Sequence, residues 1–386
     1  SGAGAPPKRS RRARYHPTMP DAVLEANDST VLPLLADPTS YRACLWDLRE
    51  PGEQRDYWLD LFRRHFPSLL DEARREAAGR GEDAADVERR CVAAAAEFAA
   101  HLDWAASEAA MRGPDRLDVL TICWARERAL RNHAFADPYR LAKAEQNAAM
   151  LPLLPGVLAE LDAMPERQRH EAIVRGIFAG NIYDQGATET NAMFAGGKSV
   201  DFHDVRLKLK PRPWLCDDLD AWLDRMKGNP HRRAVVFVDN AGPDIVLGML
   251  PFCRELARRG TRVVMAANSA PSLNDVTAGE VDVLLDQAAR LDPLLRGACD
   301  DGRLMVLPSG NWAPLIDLTM VSASLVADLA EDPPDLVVLE GMGRGIESNF
   351  DAEFSCESIN VAMVKDRGVA MGIGGELYDL VFRYRA

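Results

Sequence analysis

The chain is poor in the residues that build thiolate, imidazole or nucleotide sites. Its seven cysteines (Cys44, Cys91, Cys123, Cys216, Cys253, Cys299 and Cys356) are scattered, odd in number and contain no Cys-x-x-Cys pair. A cysteine zinc site and a disulfide framework are therefore disfavoured, and a reduced cytoplasmic protein is expected. The seven histidines show neither His-x-x-x-His nor His-Glu-x-x-His spacing, which argues against a histidine metal site. Positive charge is also short: 46 Lys and Arg face 59 Asp and Glu, a net charge of −13. A nucleic-acid partner or an anionic membrane surface is disfavoured on that balance. No Gly-x-Gly-x-x-Gly and no Gly-x-x-x-x-Gly-Lys-Ser/Thr is present, so a dinucleotide fold and an ordinary P-loop are not expected. The same lack of a glycine-rich first loop argues against S-adenosylmethionine. No apolar run approaches the roughly 18 residues that would span a bilayer, and no secretory signal is visible.

What is present is ample apolar content, 47% of 386 residues, enough for one large core or two modest ones. Residues 1–14 carry Lys8, Arg9, Arg11, Arg12 and Arg14 with nothing to bury, the pattern of a disordered basic tail or linker. Residues 15–229 form a mainly helical region. Trp58, Leu59, Leu61, Phe62 and Phe66 recur at helical spacing within 56–77, and further helices are expected over 84–111, 117–130, 142–154 and 157–164. Trp104 and Trp124 are read as core aromatics. One segment here stands out: Ala179 to Ala187 combines Gly180 and Gly186 with Asn181 and Asp184. It reads equally as a helix end with a turn and as a ligand loop.

From residue 230 to 386 the pattern changes to short apolar runs alternating with helices. Ala234–Val238, Arg262–Ala266, Leu304–Leu307, Leu336–Leu339 and Val361–Val364 read as strands, with Leu377–Tyr384 as a sixth. Helices are expected over 244–259, 277–297 and 317–330. This predicts an α/β fold: a doubly wound, mostly parallel sheet with flanking helices, preceded by the helical N-terminal region. Ligands of such sheets bind beyond the carboxyl ends of the strands. Those ends carry Asp239-Asn240, Asn268-Ser269, Ser309-Gly310-Asn311, Glu340 to Arg344, and Lys365, with Asp275 in the loop after the second strand. Asp239, Asn240 and Asp275 offer three hard oxygens to Mg²⁺ or Mn²⁺. Gly242 opens a helix whose free N–H groups suit an anion. Arg344 and Lys365 can neutralise phosphate oxygens, Arg as a fork and Lys as a point charge. Metal and anion at one rim suggest phosphoryl chemistry.

These residues also carry a family resemblance. The run Phe237–Leu256 (FVDNAGPDIVLGMLPFCREL) resembles the first signature of the metal-dependent damage-control phosphatases, once catalogued as a domain of unknown function, and Ala266–Thr277 (AANSAPSLNDVT) the second. Glu340–Arg344 (EGMGR) and Arg175–Gly186 (RGIFAGNIYDQG) are similar to the subfamily that includes the phosphatase half of pantothenate kinase 4 and its stand-alone plant relatives. The resemblance runs from about residue 15 to the end. It implies a divalent metal (Mg²⁺, Mn²⁺, Co²⁺ or Ni²⁺) on Asp239, Asn240 and Asp275. It implies hydrolysis of a small-molecule phosphate monoester, with 4′-phosphopantetheine or its oxidised forms ahead of sugar phosphates. Asp239, Arg344 and Lys365 become the expected catalytic residues. Asn181, Asp184, Gly242, Asn268, Ser269, Glu340, Arg344 and Lys365 are expected around the substrate. A homo-oligomer stays open, and a non-catalytic metabolite-binding regulator is the rival reading.

Overall fold

The structure, a computed structural model, describes residues 30–113, 116–182 and 202–386. The basic tail at 1–14 and Asp184 lie outside the described residues. The N-terminal part is helical: α1 (Glu53–Gly79), α2 (Ala84–Ala106), α3 (Glu108–Arg112), α4 (Val119–Asn132), α5 (Arg140–Met150), α6 (Leu154–Asp162), α7 (Glu166–Asn181), α8 (Phe202–Lys208) and α9 (Leu219–Arg225). A two-residue strand, β1 (Cys216–Asp217), precedes α9 and was not visible in the sequence. The α/β part contains β2 (Arg233–Phe237), β3 (Arg262–Ala267), β4 (Leu304–Pro308), β5 (Leu336–Glu340), β6 (Glu357–Met363) and β7 (Leu380–Arg385). Its helices are α10 (Leu250–Arg258), α11 (Ala278–Leu291), α12 (Pro293–Asp300), α13 (Ala323–Glu331) and α14 (Arg367–Gly372).

The seven strands form one sheet in the order β1-β7-β6-β5-β2-β3-β4. The run from β6 to β4 is parallel; β7 pairs antiparallel with β6, and β1 runs alongside β7. The expected mostly parallel, doubly wound α/β sheet is therefore present, and its sixth predicted strand is the reversed one. Strands buried on both faces must be apolar throughout, which is why the sequence shows continuous rather than alternating runs. Val236 and Val238 face the layer holding α7 and α10, while Val235 and Phe237 face Leu325 of α13 and Leu32.

The chain winds outward from β2 through β3 to β4, then returns to lay β5 on the other side of β2. That reversal opens a crevice between β2 and β5 at their carboxyl ends, the place where such sheets bind ligands. Phe237 pairs with both Ala266 and Leu339, so the chain leaves β2, β3 and β5 at one level.

Helices α1, α2 and α4 pack over this rim. Phe62, Phe98 and Val119 share a cluster with Leu273, Leu315, Ile346 and Val364. Phe98 is 1% exposed and its ring lies 4.6 Å from Phe66 and 6.2 Å from Phe62. The packing crosses the division at 229/230, because Cys216 pairs with Val381 and Trp222 lies in one core with Val236 and Phe382. One aromatic departs from expectation: Trp104 is 42% exposed at the end of α2. No helix among the described residues is long and apolar enough to cross a membrane.

Candidate active site

Both strand ends at the crevice continue into a π-helical turn, Asp244–Met249 after β2 and Met342–Glu347 after β5. Such turns are rare and recur at functional sites, because the widened register re-aims side chains. Asp239 follows β2 and Glu340 ends β5, and the Asp239 N–H donates to Glu340 Oε2 at 2.9 Å. Only glycine fits at 341. Its φ is +96°, and a Cβ there would lie 2.1 Å from Asp239 Oδ2.

Asn240 donates its amide N–H₂ to Asp239 Oδ2 (2.8 Å) and to Asp244 Oδ2 (3.0 Å). Among the described residues its own Oδ1 accepts no hydrogen bond, and Asn240 lines the main cavity. The β3–α11 loop returns against this segment. Ala241 donates to the Asn274 carbonyl (2.9 Å), and Val276 to the Asp239 carbonyl (2.9 Å). Asn240 and Asp275 thus become bridge partners. The loop stops where Thr277 and Glu280 form a capping box that starts α11.

Arg344 joins the two halves. Its Nη1 contacts Asp239, and its Nη2 donates to Asp275 Oδ2 (2.9 Å) and Asn268 Oδ1 (2.8 Å). Burial alone would pull the guanidinium's pKa down, but the carboxylates of Asp275 and Asp239 outweigh it and hold the group above its ordinary value.

The helix α7 delivers Asn181. Gly180 permits this approach, since a Cβ would sit 2.7 Å from Asp244 Cα and 2.9 Å from the Pro243 carbonyl oxygen. Asn181 then donates to Asp244 Oδ2 and Glu340 Oε1, both at 3.0 Å. Lys365, after β6, donates to the Asn181 carbonyl at 2.8 Å. The 179–187 segment is thus a helix end and a site element at once, as far as residue 182.

Asp239, Asp244 and Glu340 bring carboxylate oxygens within 4.8 Å of one another, all buried. Burial pushes the Glu340 carboxyl well up, reinforced by Asp244 and Asp239; burial also raises Asp244, with Lys365 opposing. With Asp275, four buried carboxylates gather around Arg344 and Lys365 among the described residues. Asp244 Oδ1 is buried without a hydrogen-bond partner. A buried carboxylate cluster with an unmatched oxygen is an environment a divalent cation satisfies. The residues present therefore fit a metal. Asp239, Asn240 and Asp275 face the cavity, whereas Asp244 and Glu340 stand behind them.

The structure brings Asp239, Asn240, Asp275, Asn181, Asn268, Glu340, Arg344 and Lys365 together, though not all of them on the cavity surface. Arg344 and Glu340 do not line the cavity; their polar atoms are taken by Asp239, Asp275, Asn268 and Asn181. Gly242 donates its N–H to Asn147 Oδ1 at 2.7 Å. Ser269 Oγ accepts from Gly310 N–H at 2.7 Å and faces a second cavity beside α5. Asp244 was missed. It reads in sequence as an ordinary acidic residue at a helix start, and only the π-helical turn aims it at the cluster.

The main cavity, about 650 Å³, lies over Asp239, Asn240, Asp275 and Lys365 and is roofed by α1 and α4. Trp58, Phe62 and Cys123, which read in sequence as helix packing or scattered thiols, line it. Helix α4 also holds the ligand loop. Glu127 Oε1, paired with Arg126 at 2.7 Å, accepts from Ser272 Oγ at 2.9 Å, three residues before Asp275.

Sequence comparison shows the family, and structure comparison the fold. The damage-control phosphatase ARMT1-like domain matches residues 61–381. The chain is 38% identical over 370 residues to a damage-control phosphatase of Arabidopsis thaliana, covering 93% of this chain and 98% of that protein. It is 41% identical to pantothenate kinase 2 of the same plant, covering 92% of this chain but 41% of the relative. It is 32% identical to the mouse 4′-phosphopantetheine phosphatase, covering 92% of this chain and 48% of the relative. The chain thus spans less than half the length of those two longer relatives. A crystal structure of a DUF89 family protein from Pyrococcus horikoshii superposes with a TM-score of 0.56 at 14% identity, over 87% of this chain and 99% of that one, which shows a shared fold. With its strand-end carboxylates at the β2/β5 crevice and this match over most of its length, the chain belongs to the damage-control phosphatase family, a family of phosphohydrolases.

Proposed function

We propose that the protein is a metal-dependent phosphatase of small-metabolite phosphate monoesters, with 4′-phosphopantetheine or its oxidised forms as substrate. The observation that carries this reading is the set of oxygens at the cavity floor: Asp239, the unengaged Asn240 Oδ1 and Asp275, backed by the buried carboxylates Asp244 and Glu340. These three residues would hold the cation. A divalent ion there supplies charge neutralisation and Lewis-acid polarisation of a phosphate oxygen. Everything else is done by the chain. Arg344 fixes the spacing of Asp239 and Asp275, since its two terminal nitrogens reach both. Lys365 is the cation on the cavity wall beside Asp239 and Asn240, placed to face a phosphate oxygen and stabilise developing negative charge, while Arg64, Arg126 and Arg367 also line the cavity. Asp239 is the carboxylate at the crevice that meets the attacking side of phosphorus. The relatives' names, a damage-control phosphatase and a 4′-phosphopantetheine phosphatase, favour pantetheine chemistry over sugar phosphates. Seven free thiols suit a reducing cytoplasm.

The test is phosphate release from a panel of monoesters after EDTA treatment and re-addition of Mg²⁺, Mn²⁺, Co²⁺ or Ni²⁺. Release that ignores EDTA overturns the metal part. A plain preference for sugar phosphates overturns the substrate part alone. Calorimetric Mn²⁺ titration of Asp275→Asn beside Asp244→Asn decides the ligand set, the larger affinity loss belonging to the true ligand.

A further inference from the structure

The cavity floor depends on one backbone segment of unusual geometry, the π-helical turn Met342–Glu347 that carries Arg344. Its wide register leaves buried carbonyls short of the N–H groups a regular helix would bring them. The Ser348 N–H reaches the Gly343 carbonyl at 3.1 Å, and side chains supply the other donors. Ser348 Oγ donates to the Gly343 carbonyl (2.7 Å), Asn360 Nδ2 to the Gly345 carbonyl (2.8 Å), and Asn349 Nδ2 to the Arg344 carbonyl (3.0 Å) and the Ile316 carbonyl (3.1 Å). The Asn349 amide is oriented from its other end. Its Oδ1 accepts from the Tyr41 hydroxyl at 2.6 Å, and the Tyr41 oxygen accepts the Leu318 N–H at 3.1 Å. A flipped amide would set its N–H₂ against the Tyr41 donor and its oxygen against the Arg344 carbonyl. A chain of hydrogen bonds thus runs from the segment before α1 to the backbone of Arg344, whose guanidinium spans Asp239 and Asp275.

We propose that Tyr41 and Asn349 are positioning residues for the metal centre: they pin the π-helical turn in the register that aims Arg344 at both carboxylates. This role rests on the metal-dependent reading for what Arg344 serves, and it falls to residues outside the cavity lining. Without the Asn349 donor, the Arg344 and Ile316 carbonyls are buried with their acceptor capacity unmet, and closing the turn onto regular helical N–H groups becomes the competing arrangement. That register points position 344 in another direction. Asp239 and Asp275 then lose the cation that spaces them.

A double-mutant cycle on Mn²⁺ affinity, measured by calorimetry, tests this. Tyr41→Phe and Asn349→Ala are each made in the wild type and in Arg344→Lys. Lysine keeps the charge but, as a single point donor, cannot span both carboxylates, so the turn has nothing left to aim. In the wild-type background affinity should fall about tenfold for Asn349→Ala, as for other outer-shell partners, and about threefold for Tyr41→Phe, which removes one oxygen. In the Arg344→Lys background both losses should shrink below about twofold. Losses of equal size in the two backgrounds overturn the proposal, since a merely structural role weakens binding in both alike. An affinity unmoved by either substitution overturns it too. Tyr41→Phe carries the same readout where Asn349→Ala fails to fold. A wild type without Mn²⁺ affinity overturns the metal reading instead, and the cycle is then read from urea melts of the metal-free proteins. There the effects of Tyr41→Phe and Arg344→Lys on the unfolding equilibrium should depart from additivity by about threefold or more, and additive effects overturn the positioning role.

Discussion

The floor and the roof of the cavity are built on different physics. At the floor, nine polar residues (Asn181, Asp239, Asn240, Asp244, Asn268, Asp275, Glu340, Arg344 and Lys365) are each at most 4% exposed. They are held by directional contacts that one substitution unbalances. At the roof, α1, α2 and α4 interlock through apolar side chains such as Phe62, Phe98 and Val119, with non-directional burial as the glue. The contrast teaches where to look for each kind of effect. Floor substitutions should remove activity out of proportion to stability, and roof substitutions should do the reverse.

Four substitutions break or sharpen this contrast. The largest effect is expected from Asp239→Asn, which keeps shape and removes charge at the crevice. Hydrolysis should fall at least about 10³-fold, on the order of 4 kcal/mol of barrier. Steady-state kinetics and Mn²⁺ titration measure it, and turnover above a tenth of wild type would take Asp239 out of the mechanism. Next is Phe98→Ala in the roof, where a fully buried ring between Phe62 and Phe66 leaves a cavity. Unfolding free energy should drop by about 3 kcal/mol, read from the denaturant midpoint, while kcat for the folded fraction stays within about threefold. A kcat collapse with intact stability would erase the division.

Ser272→Ala lies between the two regions, because its hydroxyl ties the Asp275 loop to Glu127 on α4. Metal affinity should fall about tenfold, as for other outer-shell partners, and Ser272→Thr should restore it. A merely structural role would lower stability without moving the affinity.

The smallest effect belongs to a charge far from the site. Asp162 is held down to about 2 chiefly by the hydrogen bond from Arg254, with burial opposing and the hydrogen bond from Arg258 assisting. A depressed carboxyl pKa contributes stability above its unfolded value and loses it as pH falls through about 2. Being partly solvent-screened, the contribution should be below about 1 kcal/mol. Asp162→Asn should therefore be slightly less stable than wild type at pH 7, equal to it near pH 2, and unaltered in activity at neutral pH. Urea melts at the two pH values decide it.

The sequence by itself determined the layers of the fold. Short apolar runs at 234–238, 263–266, 304–307 and 336–339 read as strands of a covered sheet, and the helices between them point to a parallel one, although the edge run 304–307 is only half-buried. It also placed Asp239, Asn240 and Lys365 directly after apolar runs, and Asp275 and Arg344 in the segments that follow two of them. Only the tertiary structure decided what those residues do to one another. That Arg344 spans Asp239 and Asp275 follows from the order that sets β5 and β3 on either side of β2, and pairing order is a long-range choice that no local pattern records. Asp244 entered the cluster through a π-helical turn whose sequence looks like any helix start. Asn181 arrived because Gly180 lets α7 touch residues 243–244, a contact between segments some sixty positions apart. The roof was hidden for the same reason: Trp58 and Phe62 show the spacing of any core-facing helix, and which core they face is settled only when α1 closes over the strand ends.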